Sequence, residues 1–304
     1  MTVLSDLTAR IADGAKLTDE DAASIAATYD IVRLGMMADE VRRRRHGTRT
    51  TFVRVAVVPV AAGTPSWPSA AGEVRIVGAP SSVKAAVERV AEVAAVARGV
   101  PVSGFTLADI EHVSTADGMP LRGLLEELRA AGLELIAEAP IDALGDPRRA
   151  IEEVNIAGLV LARVTVHRLP SADVIPLLNR VVDLQRAVGV IRTFAPLPRT
   201  MNPALPTTGY DDVKRVACAR LIVDNIPSIQ VDWSLYGPKL AQVALTVGAD
   251  DVDGVSPEEE TGAGRRRAPL EEIRRNIMAA SQEPVERNGR FDLVDRAVGQ
   301  SLSG

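Results

Sequence analysis

Residues 209–255 read GYDDVKRVACARLIVDNIPSIQVDWSLYGPKLAQVALTVGADDVDGV, and this stretch decides the fold. It alternates two helical patterns with two short apolar runs. Asp211 and Asp212 stand where the first helix begins, and their charge suits the positive end of the helix dipole. Val213, Val216, Ala217, Leu221 and Ile222 then fall on one helical stripe. The run Asp224-Asn225-Ile226-Pro227 stops that helix, because the residue before a proline is pushed out of helical geometry. Residues 228–235 (SIQVDWSL) read as a buried strand. Pro238 opens a second helix that ends at Gly248, and residues 250–255 (DDVDGV) supply a second strand. Helices between apolar strands predict a parallel sheet covered by helices.

The same alternation runs upstream. Strands are expected at 51–60 (TFVRVAVVPV), 73–81 (EVRIVGAPS), 101–105, 133–140 (LELIAEAP), 160–167 (VLARVTVH) and 189–197 (GVIRTFAPL). Helices are expected at 81–98, 120–131, 147–157 and 171–187, and a further one at 270–280. Residues 2–47 look helical, with Leu4, Leu7 and Ile11 on one stripe and Leu34, Met37, Ala38 and Val41 on another. The basic run Arg42-Arg43-Arg44-Arg45 with His46 reads as a solvated helix end favoured by the dipole, rather than a phosphate site. The chain therefore predicts an α/β protein with a parallel sheet covered by helices. A helical lead-in is expected over 1–47, the β/α body over 48–292, and a mobile tail over 293–304.

Composition narrows the partners. The 304 residues suffice for one large α/β barrel or for two smaller domains. Aromatics make only 3% and the net charge is −5, which speaks against a nucleic-acid partner. There is no apolar run of about 18 residues and no signal-peptide pattern, so no membrane span and a cytoplasmic location are expected. The single cysteine, Cys218, excludes an internal disulfide and an all-cysteine metal site. Its place on or beside the apolar face of a helix reads as packing.

The string DDVK…ARLIVDNIPSIQVDW…G.KLAQVAL..GADD.DG resembles the C-terminal third of aminofutalosine synthase, the radical SAM enzyme of the futalosine route to menaquinone. The cyclic dehypoxanthinyl futalosine synthase and the deazaflavin cofactor synthases share a looser version. FTLADIEH at 105–112 is similar to that family's FTAVEIDH, and PVERNGRFD at 284–292 to its PVERDTLY. The resemblance implies a β/α barrel of radical SAM type, a four-iron four-sulfur cluster, and S-adenosylmethionine as radical source. In the family, a CxxxCxxC loop follows the first strand and a long helix leads to the second. Here residues 61–72 are AAGTPSWPSAAG, without a cysteine. Thiolates are the ligands such a cluster needs, so no iron–sulfur cluster is expected, nor S-adenosylmethionine binding. The linker is too short and too rich in Gly, Pro and Ser for a covering helix. A shortened first crossover is expected, leaving apolar barrel surface for a protein partner to cover.

Candidate ligand-binding residues come from both arguments. A charged group in a buried strand must be paired or used, and barrel chemistry sits at the carboxyl ends of the strands. That selects Glu138, Arg163, Asp232, Asp253 and Glu258, with Ser234 beside them. The resemblance adds His112, and Gly78 as the survivor of a glycine pair that approaches the amino group of the methionine. No zinc spacing, Walker loop, dinucleotide fingerprint or catalytic triad is present, and no catalytic residue is assigned. Two functions fit. One is a non-radical protein of futalosine-pathway menaquinone biosynthesis that binds a radical SAM enzyme partner, self-associates, or binds a nucleoside-like ligand. The other is a cluster-free lyase or hydrolase using mouth carboxylates as acid and base.

Overall fold

The computed structural model describes residues 3–61, 63–168, 174–200, 208–261 and 267–294. Three helices lead in: α1 (Val3–Ala12), α2 (Asp19–Ala27) and α3 (Ile31–His46). Thr18 and Asp21 form a capping box at the start of α2, and Asp30 caps α3. The basic run at the end of α3 is less solvated than expected. Arg42 is buried against Asp39 and the Gly47 carbonyl, and Arg45 donates to the carbonyls of Asp224 and Ile226.

Ten strands come next among the described residues: β1 (Arg49–Pro59), β2 (Glu73–Val77), β3 (Val102–Thr106), β4 (Leu135–Pro140), β5 (Val160–Leu161), β6 (Val164–Val166), β7 (Thr193–Pro198), β8 (Ser228–Asp232), β9 (Asp251–Val255) and β10 (Glu283–Arg287). Between them lie α4 (Val83–Val96), α5 (Leu107–Ala116), α6 (Leu121–Ala130), α7 (Pro147–Ile156), α8 (Ile175–Val188), α9 (Gly209–Ile222), α10 (Trp233–Leu245) and α11 (Pro269–Ala279). Neighbouring strands pair in parallel, and β9 returns to β1. The sheet closes into a barrel of eight staves, β5 and β6 sharing one of them on β4. This is the β/α barrel that the resemblance implied.

Alternation divides each stave. Val74, Ile76, Phe194, Ile229 and Val252 are fully buried under the helices. Their neighbours in sequence point inward and are mostly polar, which sets up the site.

Four features differ from the sequence reading. The strand expected at 160–167 is broken at Ala162 and Arg163, although the ladder to β4 continues through both. The strand expected at 228–235 stops at Asp232, whose carboxylate accepts from Leu235 N and so starts α10. That helix bends at Gly237 (φ 74°, ψ 170°) just before Pro238. Residues 283–287 form β10, a parallel strand on the lower half of β1 that the sequence reading passed over. Finally, the first crossover (60–72) has no helix among its described residues, yet it leaves no bare apolar face. Phe52, Ala56 and Val58 on the outer side of β1 are buried, as are Ala70 and Ala71 of the crossover itself. Gly72 N donates to the Arg54 carbonyl, and Arg89 of α4 holds the carbonyls of Pro59 and Gly63. The short linker folds back as its own cover.

The expected start of the 171–187 helix, much of the proline-rich loop at 198–210, most of the basic loop at 261–268 and the last ten residues lie outside the described residues. Among the described residues, no helix is long and apolar enough to cross a membrane.

Candidate functional site in the barrel lumen

The inward face of the barrel carries a lattice of ion pairs. In β2 the sequence EVRIV places Glu73 and Arg75 inward while Val74 and Ile76 face the helices. Asp253 of β9 is fully buried and accepts from two nitrogens of Arg75, at 2.8 and 2.9 Å. Arg163, between β5 and β6, reaches across the lumen to the same carboxylate. Arg75 also donates to Glu73 at 2.8 Å. Nearer the mouth, Arg199 bridges Glu138 of β4 at 2.8 Å and Asp232 of β8 at 2.7 Å. Ser234 Oγ donates to Asp232 at 2.7 Å. Deeper down, Arg287 of β10 forks onto Asp251 with two bonds of 2.7 Å, and Gln230 donates to that carboxylate at 2.6 Å. Such forked, charge-assisted bonds are the strong and geometrically selective kind. Val57 shares a rung with Arg75 and so faces inward, yet it is 60% exposed; the lumen opens to solvent beside β1.

Burial and pairing compete at each carboxylate. Burial alone pushes the Glu73 carboxyl up, but Arg75, Arg163 and the Ser103 hydroxyl outweigh it and hold the group down at about 2. Asp232 is likewise held low against its burial, chiefly by Arg199, and Asp251 by Arg287. Arg163 responds in the other direction. Burial, with Arg75 and Arg199 close by, pulls its guanidinium down to about 9.

Of the residues expected from sequence, the structure brings Glu138, Arg163, Asp232, Ser234 and Asp253 together. Ser234 joins from the first turn of α10 rather than from a strand. Gly78 lies exposed at the rim after β2, with φ 100°, and an added Cβ there would stand 3.1 Å from Val60 Cγ1. It makes a tight turn at the mouth. His112 is exposed on α5, and Glu258 is exposed beyond β9, where its own N–H donates to Ser256; neither joins the lattice. Sequence reasoning missed Glu73, Arg75, Arg199, Asp251 and Arg287. For Glu73 and Arg75 the signal was present, because charges alternating with Val and Ile on a short strand point away from the helices.

Cys218 lies on α9 with no exposure, its thiol raised to about 11 by burial. Among the described residues, no group of three or more His, Cys, Asp or Glu side chains is arranged to hold a metal.

A closed parallel β/α barrel with a charged lumen and a helical lead-in defines a class. Methylornithine synthase (PylB) has this fold: TM-score 0.63, 14% identity, covering 91% of this chain and 97% of that one. At that identity the likeness is one of fold. Sequence goes further. Residues 197–299 match the family described as the CofH/MqnC C-terminal region. Aminodeoxyfutalosine synthase of Thermus thermophilus is 30% identical over 227 residues, which is 64% of this chain and 60% of that protein. Its counterpart in Streptomyces coelicolor is 25% identical over 369 aligned positions, covering 97% of this chain and 95% of that protein. The chain is thus similar in sequence to the aminodeoxyfutalosine synthases, and its C-terminal third to the CofH/MqnC family.

Proposed function

We propose that this chain is a non-radical relative of aminodeoxyfutalosine synthase that binds a nucleoside-like metabolite of the menaquinone pathway in its barrel mouth. One observation carries the reading: each of the five lumen carboxylates named above is engaged by a guanidinium of the same barrel. A wall of this kind offers fixed hydrogen-bonding edges to a guest. The residues do not fit an iron–sulfur cluster, since the one thiol of this chain sits on α9, buried and held protonated.

The lyase or hydrolase reading needs a carboxyl poised near neutral pH to give and take a proton. Glu73, Asp232 and Asp251 are held ionised far below that, which favours binding over acid–base turnover. The radical SAM enzyme of the pathway is the other partner the sequence suggested. The self-covered outer face of β1 removes the surface argument for it.

The test is calorimetric titration of the protein with aminodeoxyfutalosine, alongside an iron assay after anaerobic reconstitution. Saturable binding without stoichiometric iron is expected. A reducible iron centre, or methionine released from S-adenosylmethionine by this chain unaided, sinks the proposal. Absent nucleoside binding together with co-elution of the radical enzyme on size exclusion would turn it toward the protein partner.

A further inference from the structure

The outer face of α3 presents large apolar side chains to solvent. Val32 and Met36, one helical turn apart, are 70% and 68% exposed, and Tyr29, just before the Asp30 cap, is 86% exposed. Leu34, Met37 and Ala38 on the other face are buried and already hold the helix to the barrel. Tyr210 of α9, 38% exposed, stands beside the head of this row, where its hydroxyl donates to the Tyr29 carbonyl at 3.1 Å. The chain has only three tyrosines, and two of them are here. Single exposed apolar residues are ordinary, but a grouped patch marks an interaction surface, and tyrosine and methionine are enriched in such surfaces.

The surrounding charges select the occupant. At the head of α3 the Lys214 ammonium lies 5.5 Å from the centre of the Tyr29 ring, and among the described residues it forms no ion pair with a carboxylate. Asp30 nearby is committed to its own cap, accepting from the Arg33 N–H at 3.0 Å. Further along the same face Glu40 is exposed, with one oxygen on Arg44 at 3.2 Å. The row thus runs from a cation at a helix N-terminus to a carboxylate. A surface with opposite charges at its two ends is complementary to itself once one copy is turned end over end, which is the geometry of a twofold dimer. Two α3 helices laid antiparallel, with Val32 of each against Met36 of the other, set Glu40 opposite Thr28. That places the carboxylate at the positive head of the partner's helix, within the neighbourhood of the partner's Lys214.

We infer that α3 is a self-association surface, on which a second copy of this chain packs antiparallel through Val32 and Met36, with Tyr29 and Tyr210 at the flanks and Glu40 of each copy paired with Lys214 of the other. The surface lies on the lead-in, outside the barrel, so it is independent of the mouth-binding reading.

Analytical ultracentrifugation of the full chain over a concentration series should show a monomer–dimer equilibrium. Val32→Asp and Met36→Asp put a charge into the centre of the contact and should each weaken dimerisation at least about tenfold. Both side chains are exposed, so the urea midpoint of the monomer should hold; if either variant destabilises the fold, the charge exchange still decides. Glu40→Lys and Lys214→Glu should each weaken the dimer about fivefold, and the two together should restore it, a recovery that damage to α3 alone would not give. Cys218 is buried, so added surface thiols report cleanly. Equal amounts of Val32→Cys and Met36→Cys protein, mixed and oxidised, should give the mixed disulfide dimer in preference to either like pair. A monomer at every concentration overturns the inference, as does a dimer that Met36→Asp leaves intact. Failure of the double charge exchange to recover, or a predominance of like disulfide pairs, overturns the antiparallel pairing it rests on.

Discussion

Asp253 balances two guanidiniums, from Arg75 and Arg163, in a place where water does not reach. Breaking a buried pair from one side strands the other charge, which costs about 3–5 kcal/mol. Asp253→Asn should therefore lose about that much in urea unfolding. Glu258→Gln, on an exposed residue outside the lattice, should stay within about 0.5 kcal/mol. The same measurement reads both, and equal effects would show that the lumen pairs contribute nothing special. Cys218 gives a second residue-scale expectation. Its thiol is fully buried and raised to about 11, so a disulfide reagent should label it only as fast as the native protein opens. Labelling at the rate of a free thiol would place it at a surface the fold does not give it.

At the scale of elements, the junction between β8 and α10 sets the mouth. Asp232 ends the strand, caps the helix and binds Arg199, so one carboxylate serves three purposes. Gly237 then takes φ 74° and ψ 170°, a region open almost only to glycine, and lets Pro238 restart the helix. An added Cβ at Gly237 meets nothing within 4 Å, so only backbone strain opposes it. Gly237→Ala should destabilise by about 1–3 kcal/mol in thermal or urea unfolding. No loss would mean that the bend relaxes freely. The sequence reading saw Pro238 as the helix start and took the preceding turn for strand. SIQVDWSL is apolar enough for either, and only the cap on Leu235 N decides between them.

Across the whole molecule, the lattice ties stability to pH. Glu73 ionises more readily folded than unfolded, so the folded state binds fewer protons at acid pH. Its contribution is complete above the ordinary glutamate value of 4.5 and fades as pH falls toward about 2. Asp232 and Asp251 shift in the same direction. The urea midpoint should fall steeply over that window, and Glu73→Gln should make the fall shallower while lowering the plateau above it. An unchanged slope in the variant would assign the acid transition to other carboxylates.

The β/α alternation was legible in the order of residues, and the resemblance implied that it closes into a barrel. Apolar periodicity is a property of near neighbours along the chain, and it revealed the helices, the strands and the helical lead-in; the crossover without a helix was read from its shortness and its Gly, Pro and Ser. That 61–72 contains no cysteine is likewise plain in the letters. Glu138, Arg163, Asp232 and Asp253 could be marked as charges in strands, but their partners could not be. Arg75 and Asp253 are 178 positions apart and meet only because the sheet closes. Closure also laid β10 beside β1 and folded Ala70 and Ala71 over its outer face. Strand register and the curvature of the closed sheet decide those contacts, because a buried charge is satisfied by the group standing across the lumen and not by its neighbours along the chain.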